Sequence, residues 1–251
     1  MKKILEVKNL YKEFGEENKT VVLKGINMEV EQGEYVIIMG QSGSGKSTLL
    51  YNVSGMDRVT SGKIVFDGKD ISTFNDEKMS SLRLQKMGFI FQHSYLLKNM
   101  SLRDNVALPA NKAKKYSKKE NSKRATALMK KLHIAEVADH TVNQVSGGQM
   151  QRAAICRALI NEPQIIFGDE PTGALNATAT EEVMDILNTI HKEGTTIVLV
   201  THDAKVAARG ERIIFLRDGE IASELKLGTY VKEEEKEREE KTSQWLKEQG
   251  F

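Results

Sequence analysis

Gly40-Gln-Ser-Gly-Ser-Gly-Lys-Ser-Thr48 fits the spacing G-x-x-x-x-G-K-[S/T] in full. Each residue type has a physical task in such a loop. Gly40, Gly43 and Gly45 let the backbone wrap so that successive N–H groups point at one anion. A helix starting behind the loop adds the positive end of its dipole. Lys46 has the length and charge to reach β- and γ-phosphates, and the Ser47 hydroxyl can ligate Mg²⁺. Ser42, Ser44 and Thr48 belong to the same cradle. The apolar stretch Tyr35 to Met39 before it, and Leu49, Leu50 and Val53 after it, give the strand–loop–helix setting that the motif needs. The chemistry is binding of a nucleoside triphosphate.

A second chemical segment is Gln164-Ile-Ile-Phe-Gly-Asp-Glu170, an apolar strand ending in two carboxylates. Asp169 is placed to hold Mg²⁺ through water. Glu170 points elsewhere, because side chains alternate along a strand, and a carboxylate there can polarise an attacking water. A third segment, Val145 to Leu159, begins with Ser146-Gly147-Gly148-Gln149 directly before a helix. It offers a second set of bare N–H groups and a second dipole end. One chain with one cradle has no need of it, whereas two chains arranged head to tail do.

On these segments the chain resembles the ATP-binding cassette family of ATPases, over nearly its whole length. That resemblance implies ATP with Mg²⁺ as ligands, and a head-to-tail homodimer in which Ser146, Gly147, Gly148 and Gln149 face the ATP of the second copy. It gives Phe14 the place of the ring that stacks on adenine, with Tyr11 a weaker candidate. Gln92, ending Gly88-Phe-Ile-Phe-Gln92, matches the glutamine that touches Mg²⁺ and the attacking water and leads into a helical subdomain. His202, after the strand ending at Val200, matches the histidine that contacts the γ-phosphate. Glu170 looks like the catalytic carboxylate, and Ser47, Gln92 and Asp169 form the metal set. Three positions depart from the family pattern: Val145 for leucine, Gly168 for a bulkier residue, and Asn176 for aspartate. Asn176 removes a charge at the dimer contact, yet asparagine also caps a helix start well.

The stretches around Gly45–Ser72, Leu82–Leu97 and Asp169–Asn176 resemble the branch of macrolide-exporter, lipoprotein-release, cell-division and bacitracin-resistance ATPases, nearest the last. Such proteins drive an integral-membrane permease by closing on ATP. The implied function is an ATPase subunit serving antimicrobial-peptide resistance or export by mechanotransmission. Tyr95, Leu96, Leu97 and Met100 would line the permease groove, although such residues also simply pack a subdomain. The alternatives are a regulatory cassette acting on a membrane partner, as in cell division, and a soluble cassette acting on nucleic acid or ribosomes. The latter usually carries a coiled-coil insertion or two cassettes in one chain, and neither is visible. A kinase would leave the Val145–Leu159 segment unexplained.

These residues need a framework. Strand-like stretches at 4–7, 21–23, 35–39, 64–66 and 88–92 give way to helical character between about 76 and 159. Strands and helices then alternate, with Val183, Ile186, Leu187 and Ile190 marking one buried helix face. The expected fold is α/β, a P-loop NTPase of cassette type. It combines a mixed, largely parallel sheet core, an N-terminal antiparallel β part and an inserted helical subdomain. The expected domains are an ATPase domain over 1–225, with the helical subdomain at about 93–160, and a charged helical extension over 226–251. Ser117-Lys-Lys-Glu120 fits a capping box.

Composition narrows the classes. The 251 residues are 39% hydrophobic and 29% charged, a globular balance. The longest apolar run has five residues, whereas a bilayer span needs about 20. With no export signal and a single cysteine, Cys156, the expected location is cytoplasmic, peripheral to the membrane through the permease. A net charge of +2 does not indicate nucleic acid. Two charged stretches stand out. Lysines from Lys112 to Lys123 read as a solvated helix face or a contact for something anionic. Lys232 to Lys241 is charged at every position, and the last twenty residues or so read as an exposed, charged helix carrying Trp245.

Overall fold

The computed structural model describes residues 2–251. The chain divides into two compact units, Met1–Met79 with His191–Phe251 and Ser80–Ile190.

In chain order the first elements are β1 (Lys3–Phe14), β2 (Thr20–Glu31), β3 (Tyr35–Gly40), α1 (Lys46–Val53), β4 (Ser61–Phe66) and β5 (Lys69–Asp70). They are followed by α2 (Asp76–Lys86), β6 (Met87–Phe91), α3 (Leu102–Ala113), α4 (Lys118–Lys131), α5 (Gly147–Leu159) and β7 (Ile165–Asp169). The chain continues through α6 (Ala177–Lys192), β8 (Thr196–Val200), α7 (Ala204–Ala207), β9 (Arg212–Arg217), β10 (Glu220–Lys226) and α8 (Glu235–Glu248).

In the first unit, β2, β1, β4 and β5 form an antiparallel sheet in that order. Its strands bury Leu5, Val7 and Leu10 against Leu23, Ile26, Met28 and Val30, leaving polar residues outward. The strand that feeds the phosphate loop behaves differently. Every residue of β3 is buried, as is every residue of β8, and β3 runs parallel to both β8 and β9. Continuous apolar runs of this kind belong to a strand covered on both faces. β10 folds back antiparallel on β9 through the two-residue turn Asp218-Gly219.

In the second unit β6 and β7 pair in parallel, so that Phe91 lies opposite Asp169. Helices α3, α4 and α5 pack together on Leu102, Val106, Ala125, Met129, Ile155 and Cys156, all buried. Ser117 caps α4 by accepting from the Glu120 N–H. The basic stretch is solvated as expected: Lys112, Lys114, Lys115, Lys118, Lys119 and Lys123 are exposed. In α6 the expected face is buried at Val183, Leu187 and Ile190, with Ile186 half-buried.

The charged C-terminal stretch does form a helix, but it is not simply exposed. Arg238, Thr242 and Leu246 of α8 are buried against the first unit, and Trp245 meets the Phe215 ring edge-on at 6.0 Å. Arg238 lies inside the charged run yet is only 5% exposed. Its guanidinium donates to the carbonyls of Ala208, Gly210, Leu227 and Gly228 at 2.6–3.2 Å. A charge this deep is tolerable because those carbonyls replace its water.

Candidate nucleotide site

The first unit carries the phosphate loop. Gly40 ends β3 at φ +150°, paired with Leu216 of β9. A Cβ there would lie 2.1 Å from the Leu216 carbonyl oxygen, so no side chain fits. Gly45 caps α1 in the left-handed region at φ +98°, which reverses the chain into the helix. Ser44 is buried beneath the loop. Lys46 turns back across it, donating to the Gly40 carbonyl at 2.8 Å and the Gln41 carbonyl at 2.9 Å. These two carbonyls are neutral acceptors that a phosphate oxygen would outcompete.

Two other predicted residues lie in the same unit. Phe14 ends β1 with its ring 46% exposed and the Lys12 ammonium 4.5 Å from its centroid. Lys12 is itself fixed by Asp57 at 2.8 Å. His202 is exposed in the turn between β8 and α7, flanked by buried Thr201 and by Asp203, which caps α7.

The second unit brings Gln92 and Glu170 together. Both approach Gly173, where an added Cβ would lie 3.0 Å from Gln92 Nε2 and 3.2 Å from Glu170 Oε2. Strand alternation does not set the Glu170 direction. β7 stops at Asp169, and Glu170 takes φ +47° in the turn that follows. A non-glycine residue in that region costs about 1 kcal/mol and is found where the surroundings enforce it.

Two residues missed in the sequence hold this corner. Gln151 of α5, 2% exposed, donates to the Phe91 carbonyl at 2.9 Å and the Pro171 carbonyl at 2.7 Å. It thereby clamps the residue before Gln92 and the residue after Glu170. Arg157, six residues further along α5, donates to the Ser94 and Tyr95 carbonyls at 2.6 and 2.7 Å. The available signal was a glutamine at i−4 from Ile155, a polar residue on an otherwise apolar helix face.

The N–H groups of the Ser146–Gln149 segment are not all bare. Ser146 Oγ accepts from the Gln149 N–H at 3.2 Å, and Gln149 Oε1 accepts from the Ser146 N–H at 2.9 Å. This capping box uses the serine and glutamine to finish α5, because helix starts leave N–H groups without partners. The segment's end remains at the surface, with Ser146 and Gly147 exposed. Asn176 caps α6, accepting from the Ala179 N–H at 2.9 Å.

The metal set that the family resemblance implies is Ser47 in the first unit and Gln92 and Asp169 in the second, a hydroxyl, an amide and one carboxylate. So few hard oxygen donors suit Mg²⁺, which keeps waters and phosphate oxygens in its shell. No cluster of three or more histidine, cysteine or acidic side chains fit to hold a metal alone occurs among the described residues.

The family model described as ABC transporter matches residues 23–173. The chain belongs to the ABC transporter family. It carries that family's ATPase domain, in the α/β P-loop cassette fold. The ABC transporter ATP-binding protein YknY of Bacillus subtilis is 43% identical over 87% of this chain and 95% of its own length. The macrolide export ATP-binding/permease protein MacB of Aggregatibacter actinomycetemcomitans is 47% identical over 88% of this chain. This chain spans about a third of that relative's length, 34%. Among solved structures, the ATP-binding cassette MJ0796, a dimer bound to ADP and Pi in a post-hydrolysis state, superposes with a TM-score of 0.84. It is 39% identical over 90% of this chain and 100% of that one. No helix of the described residues is long and apolar enough to cross a membrane.

Proposed function

We propose that the chain is the ATP-hydrolysing subunit of a membrane transporter, closing head to tail with a second copy on ATP. The observation that carries this reading is the exposed start of α5, its cap already formed, on a chain with one phosphate loop. A second loop facing phosphate has work to do only against the ATP of another copy.

In this reading Lys46 and the loop N–H groups hold the β- and γ-phosphates, and the Phe14 ring stacks on adenine. Ser47, Gln92 and Asp169 would hold Mg²⁺, which would supply neutralisation of phosphate charge. Glu170 accepts a proton from the attacking water, Gln92 orients that water, and His202 donates to the γ-phosphate. The products are ADP and phosphate, and their loss lets the two copies part. Tyr95 and Leu97, 66% and 46% exposed, offer the permease an apolar contact beside the Gln92 segment. The 47% identity to MacB supports the macrolide-exporter branch, and antimicrobial-peptide resistance or export by mechanotransmission is the proposed task.

Glu170→Gln keeps the shape and removes the base. With ATP the variant should elute as a stable dimer, and turnover should fall by about 10²–10⁴-fold. Elution as a monomer at saturating ATP would contradict the two-copy mechanism.

A further inference from the structure

Helix α8 and the residues after it return to the phosphate loop. The Gly250 carbonyl accepts from the side-chain amide of Gln41 at 3.0 Å. Gln41 is the second residue of the loop, and no role described above uses its side chain. Its own carbonyl accepts from Lys46 Nζ at 2.9 Å and from the Ser44 N–H at 3.2 Å. One residue therefore links the tail, the loop lysine and the loop turn.

The tail segment is firmly seated. Phe215 of β9, fully buried, receives Trp245 edge-on at 6.0 Å and Phe251 edge-on at 5.9 Å. Arg217 donates to the Gln249 carbonyl, and Ser223 Oγ to Gln249 Oε1 at 2.9 Å. Phe215 and Leu216 are the residues of β9 that pair with Met39 and Gly40. The strand that seats the tail is thus the strand against which the phosphate loop begins.

We propose that Gln41 is a positioning residue, held by the Gly250 carbonyl through α8, and that this hold sets the affinity of the loop for triphosphate. The inference rests on the ATP-site reading above. A phosphate oxygen that draws Lys46 away removes one restraint on the Gln41 carbonyl. The Ser44 N–H and the Gly250 contact stay, one on the backbone carbonyl and one on the side chain, so the loop keeps its shape as the lysine changes partner. Coupling of this kind is reciprocal, and an occupied cradle should in turn steady the tail.

Trp245 is the chain's single tryptophan, which gives the test its readout. The full chain is titrated with Mg²⁺-ATP, following turnover and Trp245 fluorescence together. Gln41→Met keeps side-chain length and the backbone carbonyl but loses the donor. Phe251→Ala loosens the tail without touching the loop. Both variants should raise KM for ATP about 3- to 10-fold, the effect of losing one hydrogen bond. Their kcat should stay within about twofold, and their ATP-dependent fluorescence change should fall below about half that of the parent chain. Two folded variants with the parent KM and an undiminished fluorescence change would overturn the proposal, as would a loss confined to kcat. If only one variant folds, its result decides by the same criteria. A parent chain showing neither turnover nor a saturable fluorescence change would instead bring down the ATP-site reading itself.

Discussion

A Cβ on Gly173 would stand 3.0 Å from Gln92 Nε2 and 3.2 Å from Glu170 Oε2. Both neighbours are side-chain atoms and not backbone, so a methyl there displaces them by tenths of an ångström without straining the backbone. Gly173→Ala should leave the melting temperature within about 2 °C, because a small surface-proximal change of this kind costs well under 1 kcal/mol. In the proposed mechanism ATP turnover should drop about 10- to 100-fold, since small misplacements of the groups it assigns to catalysis are expensive. A steady-state ATPase assay beside a thermal melt separates the two, and parent-like turnover would refute the crowding. Glu170 and Gln92 were legible as residues from their motifs. Their convergence on a glycine was not, because it depends on the left-handed turn at Glu170, which leaves no trace in strand periodicity.

Helix α5 has two tasks at the scale of elements. Its first turn finishes the Ser146–Gln149 segment, and its buried side fastens the ends of β6 and β7 through Gln151. Gln151→Met fills similar volume but leaves one buried and one part-buried carbonyl without this donor, at about 1–3 kcal/mol each. We expect a loss of about 2–5 kcal/mol in urea unfolding and a lower kcat, with KM for ATP changed less than kcat. Stability equal to the parent would mean that water or another side chain serves those carbonyls. The sequence read the elements well where the information is local: the phosphate loop, the capped start of α4, and the apolar face of α6. It read poorly where partners are distant, since Gln151 reaches 60 and 20 residues along the chain. The charged run of α8 misled for the same reason. Arg238 has only charged neighbours in sequence, and the carbonyls it serves lie at least nine residues away.

At the scale of the whole molecule, burial also governs the single thiol. Cys156 is fully buried in α5, and burial pushes its pKa up to about 12. Only the thiolate attacks a disulfide reagent, so at pH 8 the folded chain should react with Ellman's reagent at least about 100-fold more slowly than the chain in urea. Comparable rates would show that the second unit opens readily around α5. The protein is thereby a natural blank for thiol labelling. A cysteine introduced on the outer side of α8, at Lys236 for example, would take a maleimide dye while the native thiol stays silent. The behaviour of the tail can then be followed optically without removing a residue of the core.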